Sequence, residues 1–285
     1  MQEKAYAKIN LTLDILGTRE DGFHEVAMIM QSIALHDDVY IEKTENGIEL
    51  TVEGANLPTD ENNLCYKAAR LMLDEFKIAE GVKIRLVKKI PSEAGLGGGS
   101  SDAAAVLRGM NKLFSLNLTN DEMEKLGAKI GSDVPFCIAG RTQFATGRGE
   151  LLTKLPSFPH YLLVLAKPNF SISTPWAYKT YDSMTEINRP NNDAAIKAIR
   201  TGDKAKMFSY MGNVLEVVAR TKYPQIEEYK SVMKNAGAIF TQMTGSGSVV
   251  FGVVKDEKTA EKVADAISRT GCRVFITETM ENVGI

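Results

Sequence analysis

The chain has few of the residues that build covalent or metal-braced scaffolds. Its 285 residues include three cysteines, three histidines and one tryptophan. Cys65, Cys137 and Cys272 lie far apart without paired-ligand spacing. That argues against a disulfide framework or a zinc site and points to a reducing compartment. Cys137, in the apolar run Val134-Pro135-Phe136-Cys137-Ile138, reads as a buried residue rather than a nucleophile. Charge of one sign is also lacking: 34 Lys and Arg against 36 Asp and Glu give a formal net charge of −2. There is thus no electrostatic footprint for nucleic acid or an anionic membrane, although a local basic pocket for a phosphorylated substrate is compatible with it. Long hydrophobic runs are missing. The stretch Tyr161 to Ala166 is far too short to span a bilayer, and Met1-Gln2-Glu3-Lys4 opens no signal-peptide hydrophobic region. A cytoplasmic globular protein of one large or two modest domains is expected.

Glycine, by contrast, is concentrated. Gly95-Leu96-Gly97-Gly98-Gly99-Ser100-Ser101-Asp102 runs directly into Ala103 to Phe114, a strong helix former. A glycine-rich turn that opens a helix leaves backbone N–H groups unpaired, and the helix dipole adds partial positive charge there. Side chains would keep a polyphosphate away from that backbone. Ser100 and Ser101 add hydroxyls that can cap, bind phosphate or help hold a metal. A flexible linker would be polar on both sides, whereas Val82 to Val87 alternates like a strand before the loop. No Gly-Lys-Ser or Gly-Lys-Thr follows, so this is not a Walker A loop, and it lacks the βαβ frame of a dinucleotide fingerprint. The loop predicts a nucleotide triphosphate site.

Strand-like alternation marks Ile9 to Ile15 and Val39 to Glu42 within residues 2–53, and helical spacing marks Asn63 to Phe76. A strand at 82–88, the glycine loop and a helix at 101–114 follow. Thr119 and Glu122 form a capping-box pattern, and a short helix is expected near Asp133 with Pro135 in its first turn. Pro156-Ser157-Phe158-Pro159 is the candidate boundary, dividing the chain into domains at 1–156 and 157–285. Beyond it come a strand at 161–166, helices to about residue 236, strands near 238–243 and 248–254, a helix at 256–270 and a strand near 272–278. The order predicts an α+β fold with a ferredoxin-like C-terminal half.

Four further stretches carry side chains suited to chemistry. Lys8 and Asn10 are two apart in a strand and share a face, which is either a solvent-facing side or part of a site. Asp133, in Gly131-Ser132-Asp133-Val134-Pro135-Phe136, is either a helix N-cap or a catalytic carboxylate. Thr244-Gly245-Ser246-Gly247-Ser248 is either a hairpin turn or a second glycine-rich wall against a ligand. Phe23-His24 pairs a ring that can stack on a pyrimidine with an imidazole that can bond its edge; the other reading is a core Phe and a surface His. His36 and His160 match no pattern.

The spacing of these motifs resembles the galactokinase, homoserine kinase, mevalonate kinase and phosphomevalonate kinase superfamily, nearly end to end. The resemblance rests on Ala7-Lys8-Ile9-Asn10-Leu11, Asp21-Gly22-Phe23-His24, Asn62-Asn63-Leu64, Gly95 to Ala104, Gly131 to Cys137 and Thr244 to Ser248. It is strongest for the branch that phosphorylates a cytidyl-diphosphate sugar alcohol on the non-mevalonate route to isoprenoids. It implies a two-domain α+β fold, with an N-terminal domain like ribosomal protein S5 domain 2 and a ferredoxin-like C-terminal domain. It further implies that ATP phosphates lie on Gly95, Leu96, Gly97, Gly98, Gly99, Ser100 and Ser101, with adenine near Asn63, Leu64 and Lys88. Asp133 would take the proton of the substrate hydroxyl. Lys8 would pair with Asp133 and stabilise charge on the phosphoryl group, with Mg²⁺ as cofactor. Asn10, Phe23 and His24 would bind the small-molecule substrate. A homoserine- or mevalonate-type kinase would not need Phe23-His24, and a catalytically silent nucleotide sensor would be expected to lack Lys8 or Asp133. Tyr6 stands where the superfamily pattern has proline, Phe23 where it has tyrosine and Ser132 where alanine is common. Glu93 brings an unexpected negative charge close to the loop. These departures bear on fine specificity.

Overall fold

A computed structural model describes residues 1–185 and 187–281, with Ala205 described by its backbone alone. The chain begins with β1 (Gln2–Thr18), β2 (His24–Thr44), β3 (Ile48–Glu53), α1 (Leu64–Glu75), β4 (Gly81–Val87) and α2 (Gly98–Leu113). Next come α3 (Asn120–Ala128), α4 (Val134–Ala139), β5 (Thr142–Thr146), β6 (Leu151–Lys154) and β7 (Leu162–Lys167). Then follow α5 (Thr174–Tyr181), α6 (Asn192–Thr201), α7 (Lys204–Met207), β8 (Gly212–Asn213), α8 (Val214–Lys222) and α9 (Gln225–Ala236). The strands β9 (Phe240–Met243) and β10 (Val250–Val254), the helix α10 (Glu257–Ser268) and the strand β11 (Arg273–Glu278) complete the order.

Two compact units share these elements. One comprises Met1–Lys8, Leu35–Ser92 and Gly97–Gly140; the other comprises Ile9–Ala34, Glu93–Leu96 and the described residues from Arg141 onward. The strands β1 and β2 each contribute to both, and so does the glycine loop.

In the first unit, β4 lies parallel to β3 and antiparallel to the second half of β2, from Asp38↔Val87 to Thr44↔Gly81. Val82, Ile84 and Leu86 of β4 are buried while Lys83 and Arg85 are exposed, the alternation of a one-faced strand. The apolar face of α1, with Cys65, Ala68, Ala69, Met72 and Leu73, is buried, as are all residues of α2 from Ser101 to Met110. Small side chains let α2 pack closely: a Cβ on Gly109 would lie 2.5 Å from Ile41 Cδ1. The predicted capping box at Thr119 and Glu122 starts α3. Tyr6 places its ring against His36, with centroids 5.3 Å apart.

In the second unit, the later part of β1 runs parallel to β8, the early part of β2 pairs with β5, and β5 pairs with β6. A separate antiparallel sheet has the order β11-β7-β10-β9. Numbered along the chain this is 4-1-3-2, with helices between the first two strands and before the last, the ferredoxin-like arrangement predicted for this half. Both faces of β10 are buried, as its run Val-Phe-Gly-Val-Val requires.

The fold is α+β. All three cysteines are buried and none forms a disulfide. No described helix is long and apolar enough to cross a membrane. The helix after the glycine loop begins at Gly98 rather than at Ser101. Gly97 occupies the N-cap position in the left-handed region (φ 69°, ψ 20°), so no serine caps this helix; Ser101 Oγ instead donates to the Gly98 carbonyl at 2.8 Å.

Candidate functional site

The first group of residues lies in the first unit. Lys8 is buried, and its ammonium stands 3.4 Å from Asp133 Oδ2, so the Lys8 side of β1 is not a solvent-facing one. Asp133 occupies the N-cap position of α4 but its side chain makes no capping hydrogen bond there. The carboxylate is about 29% exposed and turned to the lysine. A cap would have tied that oxygen to an amide; here the helix begins with Val134-Pro135, and the proline at the start removes one of the N–H groups a cap would serve. The stem of Lys8 lies against the loop: a Cβ on Gly97 would meet Lys8 Cγ at 3.0 Å and Cε at 3.2 Å. Glycine at 97 therefore serves both the positive φ and the approach of the lysine.

Arg108 of α2 gathers the elements that carry this pair. Its guanidinium donates to the Cys137 carbonyl of α4 at 2.9 Å and to the Lys4 carbonyl of β1 at 2.9 Å, and it lies 3.3 Å from Glu3. Glu3 also holds Lys112 at 2.7 Å. A buried guanidinium with carboxylate and carbonyl partners is the condition under which such a charge is tolerated.

Asn63 and Leu64 start α1. Asn63 Oδ1 accepts the Cys65 amide at 2.9 Å and its Nδ2 donates to the Pro58 carbonyl at 2.7 Å. Leu64 Cδ1 lies 3.5 Å from where a Cβ on Gly99 would be. Lys88 is buried, with its ammonium on Asp37 and, at 2.6 Å, on Asp102 Oδ2.

Asp102 Oδ1 is buried without a hydrogen-bond partner. Burial pushes the Asp102 carboxyl up to about 8, against the opposing pull of the Lys88 charge. The folded chain therefore holds a proton that the unfolded chain, with its ordinary value of 3.8, has released. The stabilising contribution is full below that ordinary value and is lost as pH rises towards the folded one. Unfolding free energies from urea titration are expected to fall between about pH 4 and about pH 8, and to fall less in Asp102→Asn, which has nothing to ionise there. Parallel slopes in the two proteins would show that Asp102 does not titrate in this window.

The second group lies in the second unit. Asn10 is fully buried, and its amide N–H donates to Thr244 Oγ1 at 3.0 Å. The Thr244 hydroxyl also reaches the Gly95 carbonyl at 3.2 Å. Residues 244–248 do connect the antiparallel strands β9 and β10, and they also form a wall against the start of the glycine loop. A Cβ on Gly95 would fall 2.1 Å from the Thr244 carbonyl oxygen, and one on Gly245 would fall 3.0 Å from the Gly95 carbonyl oxygen. Asn213 holds the turn from behind, donating to the carbonyls of Met243 at 2.9 Å and Gly245 at 2.8 Å. Glu93 lies near Lys167, whose ammonium donates to the carbonyls of Pro168 and Phe170 at 2.8 Å. Burial pulls Lys167 down from its ordinary value, and the Glu93 charge offsets part of that.

His24 begins β2 and Phe23 immediately precedes it, in a turn closed by the Arg19 amide on the Phe23 carbonyl at 2.7 Å. Phe23 is 52% exposed and so is no core residue; the Arg148 guanidinium sits 5.0 Å from its ring centre. The His24 ring lies 4.9 Å from that of Tyr178, and its Nε2 is 2.7 Å from Asp182 Oδ1. Sequence reasoning singled out neither Tyr178 nor Asp182, which belong to α5 and the residue after it, more than 150 positions from His24. The other two histidines pair with carboxylates, His36 with Asp38 at 3.9 Å and His160 with Glu278 at 2.9 Å.

Among the described residues, no group of three or more His, Cys, Asp or Glu is arranged to hold a metal ion. A magnesium ion bound chiefly through nucleotide phosphates needs no such cage.

Comparison with known proteins gives consistent relatives. The family description "GHMP kinases N terminal domain" matches residues 63–141, and "GHMP kinases C terminal" matches residues 195–272. The 4-diphosphocytidyl-2-C-methyl-D-erythritol kinase of Caldicellulosiruptor saccharolyticus is 47% identical over 280 residues, covering 98% of this chain and 97% of that protein. The kinase of the same name from Acetivibrio thermocellus is 45% identical over 277 residues, covering 97% and 98%. A crystal structure of 4-(cytidine 5'-diphospho)-2C-methyl-D-erythritol kinase is 32% identical with a TM-score of 0.82, covering 98% of this chain and 99% of that one. The L. major mevalonate kinase in complex with R-mevalonate, at 17% identity and a TM-score of 0.75, shares the fold, covering 98% and 96%.

Proposed function

Since the chain belongs to the 4-diphosphocytidyl-2-C-methyl-D-erythritol kinase family of GHMP kinases, we propose that it transfers the γ-phosphoryl group of ATP to the 2-hydroxyl of 4-diphosphocytidyl-2-C-methyl-D-erythritol, in the cytoplasm. The observation that carries this reading is the Lys8–Asp133 pair, set against Gly97 of the phosphate loop and left uncapped at the start of α4. Asp133 takes the hydroxyl proton as the oxygen bonds to the γ-phosphorus. The bond from that phosphorus to the β–γ bridging oxygen breaks, and ADP leaves with that electron pair. Lys8 offsets the charge spread over the transferring group. Such transfers depend mostly on positioning and electrostatic stabilisation. Mg²⁺, when bound with the nucleotide, would supply charge shielding for the phosphates.

The amides of Gly95 to Ser101 bind the phosphates. Asn63 and Lys88 have their side-chain ends engaged elsewhere, so what they offer adenine is backbone, beside the apolar Leu64. Asn10 orients the substrate, and Phe23 with His24 receives its cytosine. In sequence terms the two modules divide at 156–157.

Coupled detection of ADP release from MgATP, with and without the cytidyl substrate, tests the reaction. Release that depends on this substrate is expected, with none from homoserine or mevalonate. MgATP binding without ADP formation across the whole panel would mean a silent sensor instead. For the pocket, Phe23→Ala is expected to raise KM for the cytidyl substrate roughly 5- to 150-fold, the worth of one base–aromatic stack of about 1–3 kcal/mol. His24→Ala should move the same parameter, while KM for MgATP stays put in both. Unchanged substrate KM in the two variants would rule the cytosine pocket out.

A further inference from the structure

The chemistry above makes no use of the side-chain groups of Asp37, Lys88 and Asp102, yet the three share one enclosed space in the first unit. Their side chains are at most 3% exposed. The Lys88 ammonium bonds Asp37 Oδ2 and, at 2.6 Å, Asp102 Oδ2. Asp37 Oδ1 in turn accepts the backbone amides of Lys89 and, at 2.8 Å, Ile90. Asp102 belongs to the start of α2, just after the glycines. A Cβ on Gly98 would lie 3.4 Å from Lys88 Nζ and 3.2 Å from Ile90 Cγ2, so the first helical residue rests on both. One ammonium thus joins β2, the segment 88–90 and the opening turn of α2.

Buried ion clusters are weak contributors to stability, because desolvation offsets much of the attraction and apolar packing of equal volume does as well or better. Here the cluster also leaves Asp102 Oδ1 unsatisfied. What it supplies is placement. An ammonium that donates to two acidic side chains from different elements defines a relative position in a way that sliding methyl groups do not.

We propose that Asp37, Lys88 and Asp102 are positioning residues for nucleotide binding: through the shared ammonium they fix the first turn of α2 against the 88–90 segment, and so hold the Gly98–Ser100 amides in place for the ATP phosphates. The inference rests on the kinase reading above. Lys88 then acts through the loop and not by touching adenine with its charge.

MgATP affinity by calorimetry, without the second substrate, and steady-state kinetics on the same variants test it. Asp102→Ala is expected to weaken MgATP binding and raise its KM by ~10-fold or more, with kcat at saturating nucleotide within ~3-fold and KM for the cytidyl substrate unchanged. Asp102→Asn, which keeps an oxygen for Lys88, should recover affinity to within ~3-fold of wild type. A folded Asp102→Ala with wild-type MgATP affinity overturns the proposal, as does an equal loss in the Ala and Asn variants. A merely structural role would lower the melting temperature and leave the nucleotide affinity alone. If Asp102→Ala does not fold, Asp37→Asn decides, since it keeps the size and the acceptor for the 89 and 90 amides while losing the charge on Lys88. Affinity weakened by ~3-fold or more supports the proposal, and unchanged affinity overturns it. Wild-type protein that binds MgATP but forms no ADP with the cytidyl substrate would sink the kinase reading alone, because the affinity comparison stands without turnover.

Discussion

Asp133→Asn should fold, bind MgATP like the wild type and lose about 10²- to 10⁴-fold in turnover, the usual worth of one well-placed proton acceptor. Asparagine keeps the shape of the side chain and an oxygen to lie beside Lys8, but its amide cannot take a proton from the substrate hydroxyl. Because the Asp133 side chain does not cap α4, the substitution removes no helix-terminal hydrogen bond, so the loss should fall on kcat and spare the melting temperature. Single-turnover phosphoryl transfer, read beside a thermal melt, separates the two. Near-wild-type turnover in a folded Asp133→Asn protein would leave the reaction driven by positioning and electrostatics alone, with solvent as the proton acceptor.

Gly95→Ala should be more disruptive than its one added methyl suggests. Gly95 sits at φ 76°, where an L side chain is strained by about 1–2 kcal/mol. Its new Cβ would also lie 2.1 Å from the Thr244 carbonyl oxygen and 3.2 Å from the Gly247 nitrogen. Both obstacles are backbone, in a turn that Asn213 holds by two carbonyls, so neither can swing aside as a side-chain end would. The expected cost is more than about 3 kcal/mol, with MgATP binding lost even where the chain still folds. Gly17→Ala is the matching control: nothing lies within 4 Å of its Cβ, and stability should stay within about 0.5 kcal/mol of wild type. Chemical denaturation and nucleotide titration on the two variants give the comparison. Equal stabilities would mean that the 244–248 turn yields to the loop.

What was legible in the sequence was what neighbours along the chain decide. The strand-helix order of the second half, the Thr119–Glu122 box and the short helix after Asp133 all follow from local periodicity and turn chemistry. The start of α2 was placed three residues late because glycine is a poor helix former, and Gly98 and Gly99 enter the helix only because their surroundings hold them there. Residues 2–53 read as several strands and hold three, but the length of β1 and β2, 17 and 21 residues, escapes alternation because polar side chains are buried along them. Lys8 and Asn10 look like a solvent-facing pair by alternation alone and are enclosed in the fold. The partners of His24 and of Lys88 were out of reach for another reason. Asp182 is 158 positions from His24, and Asp37 is 51 from Lys88. A lone acidic residue in a polar stretch reads as surface, and only tertiary packing brings it to a particular cation.

The interleaving of the two units bears on synthesis and folding. All residues of the first unit have been made once Gly140 is added. The second unit includes residues 9–34, yet Asn10 pairs with Thr244 and Gln31 with the Met280 carbonyl, 234 and 249 positions later. At about 5–20 residues per second on a ribosome, Gln31 waits roughly 12–50 s for its partner. Until β5 is made, the early part of β2 lacks the strand it pairs with from Met28↔Ala145 to Gln31↔Thr142, and that edge of its run Val26-Ala27-Met28-Ile29-Met30 is open to other nascent chains. Such long-range pairing also slows folding after release. A ribosome stalled shortly after Gly140 would therefore present one finished unit beside a sticky strand, and chaperone demand should peak in the second half of translation.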